Sequence, residues 1–284
     1  MPSTKAVKRR IASVTTTKKI MRAMNMVAAS KLQKNRARLE TARPFFHHFQ
    51  KVIEDLQTHP GAADSIFFNP AERKQTGSAV YLVITGDRGL CGGYNINLTE
   101  KARSHMAGSE KDIQIVTVGS KGYDFFRRQS REILRRYSNV METAIYEDAG
   151  MVSRFLTKVY TDGETDEVYV AYTKFGSVLQ HIPTVERLLP VGGVPEDGTG
   201  AGGMRYESGA ADFLGHAVPA YLNAFIYAAM LESSACEQAA RMVSMDAAVK
   251  NAADIIEKLT RVYNRSRQAA ITQEISELVA STDV

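Results

Sequence analysis

The first forty-three residues contain no glycine and, between Pro2 and Pro44, no proline, and they set twelve Lys or Arg against a single acid, Glu40. A stretch so free of breakers predicts one long, very basic helix. Because the whole chain carries only +5, this segment's +11 leaves the other 241 residues at −6. The basicity is local, and its partner should be acidic. A second stretch, His216 to Val284, is again free of glycine and has Pro219 where a first helical turn tolerates it. Two long helices bracketing a middle segment predict a shaft with a head.

Heptad spacing supports a paired shaft. In the C-terminal stretch, Ala217, Ala224, Leu231, Gln238, Met245, Ala252, Leu259 and Ser266 alternate with Tyr221, Ala228, Ala235, Met242, Val249, Ile256, Tyr263 and Ala270, and only Gln238 and Ser266 are polar. The same register in the basic helix runs through Val7, Ile11, Val14, Met21, Ala28, Leu32 and Leu39, broken at Lys18, Asn25 and Asn35. Since the chain must leave one helix, build the middle and return, the pair should be antiparallel, with its base near residues 50 and 215. At ~1.5 Å per residue the second helix reaches roughly 100 Å and the first, taken to Pro44, about 60 Å. The unmatched tip, from about Ile255 to Val284, would expose Ile255, Ile256, Leu259, Val262, Ile271, Ile275, Leu278 and Val279 and should sit inside something else.

The expected fold class is α/β: a long antiparallel two-helix coiled coil and a central Rossmann-like domain. The division is 1–60 for the basic helix, 61–209 for the α/β domain and 210–284 for the C-terminal helix. In the middle, Ser78 to Ile84, Ile113 to Val118, Glu167 to Phe175 and Gln180 to Leu188 read as strands, with helices near Leu98 to Met106, Gly122 to Gln129 and Ala149 to Tyr160. That alternation favours a mostly parallel sheet. The Gly-rich Val191 to Met204 reads as a loop.

No apolar run approaches the ~20 residues needed to cross a bilayer, and the basic N-terminus lacks the apolar core of a secretory signal. The expectation is a protein that is not exported, in a reducing compartment. Cys91 and Cys236, one in a loop and one on a helix, are expected to be unpaired. A Gly-rich turn after a strand, Ile84 to Asn95 (ITGDRGLCGGYN), invites a phosphate-binding reading. A phosphate loop needs Lys and Ser or Thr after its last glycine, where Tyr94 and Asn95 stand, and Gly86, Gly89, Gly92 and Gly93 do not match the dinucleotide spacing. A tight turn remains, with Asp87 and Arg88 free to pair with each other or with a partner. His47 and His48 lack a Cys or carboxylate at ligand spacing, and Cys91 lacks a neighbouring His and orienting group. The sequence therefore points to no metal, no cofactor and no catalytic residue.

Three blocks add a resemblance. Arg9 to Leu32 (RRIASVTTTKKIMRAMNMVAASKL), Ile84 to Asn95, and Ser233 to Ala252 (SSACEQAARMVSMDAAVKNA) followed by Tyr263 to Val279 (YNRSRQAAITQEISELV) resemble the gamma subunit of the F-type ATP synthase, in order and from end to end. The resemblance implies a non-catalytic rotor shaft, one copy per complex, standing in the cavity of an alpha and beta hexamer while its α/β head joins the epsilon subunit and the membrane c ring. It implies a peripheral place on the cytoplasmic face of the cell membrane and coupling of ion flow to ATP synthesis by rotation. It also implies that Arg267, Gln268 and Thr272 hydrogen-bond a beta-subunit loop near the tip, and that Met24 and Arg241 face the same hexamer from the flank. Tyr206 and Glu207 match the foot on the c ring. The acidic lever segments of the family's beta subunits would answer the basic helix. The cysteine pair that chloroplast relatives carry in a regulatory insertion is absent here, so thiol control of that kind is not expected.

Two other classes fit less well. A nucleic-acid binder would use the basic helix on phosphates, but Ile11, Val14, Met21, Met24, Val27, Ala28 and Leu32 interrupt that face throughout. A stand-alone α/β enzyme lacks a site.

Overall fold

In a computed structural model the described residues are 4–57, 65–69, 75–192 and 210–282. The elements run α1 (Thr4–Gln57), β1 (Ser78–Ile84), α2 (Tyr94–Ala107), β2 (Asp112–Val118), α3 (Ser120–Arg128), β3 (Ile133–Tyr137), α4 (Tyr146–Thr161), β4 (Glu167–Phe175), β5 (His181–Leu189) and α5 (Ala210–Thr282). The chain divides into two compact units, Met1–Ala29 with Arg241–Val284, and Ser30–Ala240.

The larger unit is built on a five-stranded sheet of order β3-β2-β1-β4-β5, parallel except for the antiparallel β4 and β5 pair. Both faces are covered, which is why β1 is buried at every position and reads as an unbroken apolar run. The pleat sends alternate residues to opposite layers. Val80, Leu82 and Ile84 join Val116, Val118, Val168 and Val170 under α4, through Val152, Leu156 and Tyr160, and under the segments of α1 and α5 that belong to this unit. Ala79, Tyr81 and Val83 face the other way, against Leu98, Ala102 and Met106 of α2 and Phe126 of α3. The strand that escapes sequence reading is β3, Ile133-Leu-Arg-Arg-Tyr137. As an edge strand it needs no alternation, and two adjacent arginines hide its β character.

Asp166, just before β4, fixes the entry to β1. Its Oδ1 accepts Thr76 N at 2.8 Å and Thr76 Oγ1 at 3.0 Å, and its Oδ2 accepts Gly77 N at 2.8 Å. Burial by itself would raise this carboxyl, but the Thr76 and Gly77 bonds, with the Lys111 cation nearby, outweigh it and hold the pKa below the ordinary range. A depressed carboxylate contributes stability that is complete above its unfolded pKa and lost as pH falls through its folded one. Asp166→Asn should therefore lower stability by about 1 to 3 kcal/mol at neutral pH, with the gap to the native chain closing below about pH 4, as read by denaturant unfolding across pH.

The two long helices follow the heptad register. In the smaller unit Val7 and Ala28 of α1 and Met245 and Ala252 of α5 are buried. Two of the three polar breaks in α1 are paired across the seam. Asn25 Nδ2 donates to the Met242 carbonyl at 2.8 Å. In the larger unit Asn35 Nδ2 donates to Ser234 Oγ at 2.8 Å, and that hydroxyl donates to the Met141 carbonyl at 3.4 Å. Asn35 meets Ser234 and, further along α1, Arg43 lies 3.6 Å from Glu232 and Phe46 packs on Phe225, so the helices run antiparallel. Buried amides of this kind fix register.

α1 passes through Pro44 and continues to Gln57, beyond the reach to Pro44 taken for its length; Glu40, whose carbonyl loses its helical donor, is exposed to water. One sequence expectation changes: the partnerless tip begins later than Ile255. Ile256, Leu259, Tyr263, Ser266 and Ala270 remain half-buried along the seam, and every residue from Ile271 to Ser276 is exposed.

Candidate functional site

The turn after β1 is held from three sides. Gly86 N donates to Asn95 Oδ1 at 2.9 Å, closing the turn onto α2. Asp87 Oδ1 accepts Ser120 N at 3.0 Å and Ser120 Oγ at 2.9 Å, so a carboxylate sits at the N-terminus of α3, where it complements the helix dipole. Arg88 lies 3.3 Å from Glu142, which also takes Lys31 at 2.7 Å. Asp87 and Arg88 thus tie separate elements together rather than pairing with each other.

In a doubly wound sheet, a ligand would occupy the crevice at the carboxyl ends of β1 and β4, where the strand order reverses. Here α5 fills it. Thr173 N donates to Ser233 Oγ at 3.2 Å, Cys236 Sγ donates to the Thr173 carbonyl at 3.5 Å, and Phe175 N donates to Glu232 Oε2 at 3.2 Å. A Cβ added to Gly86 would stand 2.7 Å from the Glu237 carboxyl carbon. The glycine is there so that a carboxylate of α5, not a phosphate, can approach the turn. Burial raises the Glu232 carboxyl and the Cys236 thiol, and burial together with the nearby Glu237 raises the Tyr94 phenol. Both cysteines are free thiols, and although distant in sequence they share one buried cluster with Tyr94.

The helix pair carries the other candidates. Met24 is half-buried and Arg241 is 8 % exposed; they flank the Asn25 to Met242 hydrogen bond and so lie at one level of the pair. Arg267, Gln268 and Thr272 are exposed, and Thr272 Oγ1 donates back to the Gln268 carbonyl at 3.0 Å. Tyr206, Glu207 and the Gly-rich stretch from residue 193 lie outside the described residues. Sequence reading missed the interhelical role of Asn25 and Asn35. It also missed Glu142 as the acid shared by two cations, for which no local pattern exists.

The family description "ATP synthase" matches residues 3–283. A relative named ATP synthase gamma chain, from Moorella thermoacetica, is 40% identical over 277 residues, covering 98% of this chain and 97% of its own. The chain belongs to the ATP synthase gamma chain family. A second gamma chain, from Pelotomaculum thermopropionicum, is 38% identical over 281 residues, with 98% of each covered. The central stalk and c-ring structure of the Tetrahymena thermophila mitochondrial ATP synthase contains a chain with TM-score 0.63 and 25% identity, covering 81% of this chain and 99% of that one. A chain of the Euglena gracilis mitochondrial ATP synthase rotor gives TM-score 0.69 at 17% identity, covering 94% and 98%, a likeness of fold. The gamma chain fold is therefore that of a central stalk. Among the described residues no helix is long and apolar enough to cross a membrane.

Proposed function

We propose that the chain is the non-catalytic rotor shaft of an ATP synthase. One copy stands with its helix pair in the cavity of an alpha and beta hexamer, and its α/β unit joins the epsilon subunit and c ring on the cytoplasmic face of the membrane. An asymmetric rod in a threefold ring cannot touch three catalytic sites alike, so each orientation stabilises a different set of site conformations. Ion-driven turning of the c ring then carries each site through binding, synthesis and release.

The observation that carries this reading is the end of α5, where Ile271 and Ile275 stand 46% and 56% exposed in a stretch with water on every side. A lone helix bearing such residues is a surface awaiting a sheath. Basicity supports the same reading: Lys5, Lys8, Arg9, Arg10, Lys19 and Arg22 are exposed, and none pairs with a described carboxylate. Limited proteolysis tests it. The free chain should be cut within residues 271–284, and the same bonds should resist once the chain is assembled with alpha and beta subunits. Equal cutting in both states would show that the tip is not enclosed.

The filled crevice also predicts that the isolated chain binds no nucleotide. Titration calorimetry with MgATP should detect no stoichiometric site tighter than roughly 10 μM, and such a site would contradict the role given to Ser233, Cys236 and Glu237.

A further inference from the structure

The sheet ends in an unpartnered basic edge. Among the described residues β3 pairs with β2 alone, leaving its outer side open. Between Ser120 and Tyr137 lie six cations, Lys121, Arg127, Arg128, Arg131, Arg135 and Arg136, against Asp124 and Glu132. With +11 in the first forty-three residues and +4 here, the remainder of a +5 chain is at −10. This is a second, separate concentration of positive charge. All five arginines are exposed, and none forms an ion pair with a described carboxylate.

Charge on an edge strand often serves only to discourage pairing, and mobile lysines do that well. Here the cations are held in place. The Arg136 guanidinium stands 4.3 Å from the centre of the Tyr123 ring and donates to Ser120 Oγ at 3.2 Å. That of Arg135 stands 4.8 Å from the Phe155 ring and 5.2 Å from the Tyr137 ring. As neighbours in a strand they point to opposite faces of the sheet, so a fixed fork of donors flanks the open edge on each side. A planar guanidinium stacked on an aromatic ring has little freedom left to lose when it takes a carboxylate bidentately.

We propose that β3 is a docking edge for an extended acidic segment of a partner protein, added as a further strand, with its carboxylates taken by Arg135 and Arg136. An extended segment uses both features at once, since main-chain bonds fill the edge while successive side chains, which point to opposite faces, reach the two guanidinium forks. A lipid surface or a nucleic acid would answer the charge and leave the edge unused. The assignment is independent of the rotor reading.

The test uses the full chain and a fluorescent peptide of about eight residues repeating Glu-Glu-Val-Val, which as a strand presents carboxylates on both faces, followed by anisotropy near 0.15 M salt. Binding should weaken by about tenfold or more in Arg135→Gln/Arg136→Gln and by less than about twofold in the α2 control Lys101→Gln/Arg103→Gln. The same peptide N-methylated at alternate residues should bind the native chain about tenfold more weakly or worse, because it cannot complete the ladder. That arm stands even if the double variant unfolds. Equal binding of the methylated peptide overturns strand addition. Failure of the peptide to bind, while phosphatidylglycerol vesicles or a single-stranded oligonucleotide do, overturns the acidic segment as the occupant.

Discussion

Gly119→Ala should be the most damaging glycine-to-alanine change among the described residues, abolishing most soluble protein or lowering the melting temperature by about 10 °C or more. Gly119 has φ +87° and ψ 146°, a region almost confined to glycine that costs an L-residue roughly 1 to 3 kcal/mol, and its added Cβ would fall 2.1 Å from the Thr85 carbonyl oxygen. Neither segment can yield. Thr85 N donates to Val118 O at 2.8 Å and Gly119 N to Tyr137 O at 2.9 Å, so separating them breaks the parallel ladder just where the turn after β1 is anchored. Together strain and clash amount to at least about 3 kcal/mol, which in a domain of this size is about 10 °C. Gly89→Ala, which meets only the end of the Lys121 side chain at 4.0 Å, is the matched control and should shift melting by less than about 2 °C. Thermal unfolding of both variants settles the comparison.

Arg267→Ala should act in the opposite manner, leaving the isolated chain intact and damaging the assembly. Its side chain is exposed, so removal costs the free protein less than about 0.5 kcal/mol. On the rotor reading proposed above, Arg267 makes a charge-assisted bond, beside one from Gln268, to a beta-subunit loop in one orientation of the rotor. Loss of roughly 1.5 to 3 kcal/mol there would change complex yield, or the rate of the step leaving that orientation, by about tenfold or more. Lys5→Ala, also exposed, should change either quantity by less than about twofold. Steady-state ATPase and yield of the reconstituted complex measure both. If the two variants behave alike, the specific contact is wrong and only general basicity remains.

Local pattern carried much of the architecture. The bounds of β1 and β4 coincide with the β-branched and aromatic runs Ser78 to Ile84 and Glu167 to Phe175, and β1, buried at every position between parallel neighbours, has no polar face to confuse the reading. The heptad positions proved to be the inward ones along both helices because a seam has a fixed period whatever lies beyond it. What stayed hidden depends on contacts between distant residues. Nothing near Gly86 tells that Glu237, some 150 positions later, closes over it, and nothing near Asn25 tells that a carbonyl at Met242 awaits its amide. The start of the lone tip is hidden for a related reason: the side-by-side offset of the helices decides it, as in the pairing of Asn25 with Met242, and helix length alone does not give that offset. Arg267, Gln268 and Thr272 could be found only through resemblance, since an exposed Arg, Gln and Thr on a helix have no physical signature of their own.

The central claim is that this chain turns inside a ring of catalytic subunits. Reconstituting it with alpha and beta subunits fixed to a surface, attaching a bead through a cysteine placed in its α/β unit, and supplying MgATP would observe that directly. The account predicts stepwise rotation of the bead in one direction, stopping when ATP is removed and absent when the chain is truncated before Ile255. Sustained ATP hydrolysis with a stationary bead, in complexes proved to contain the chain, would contradict it.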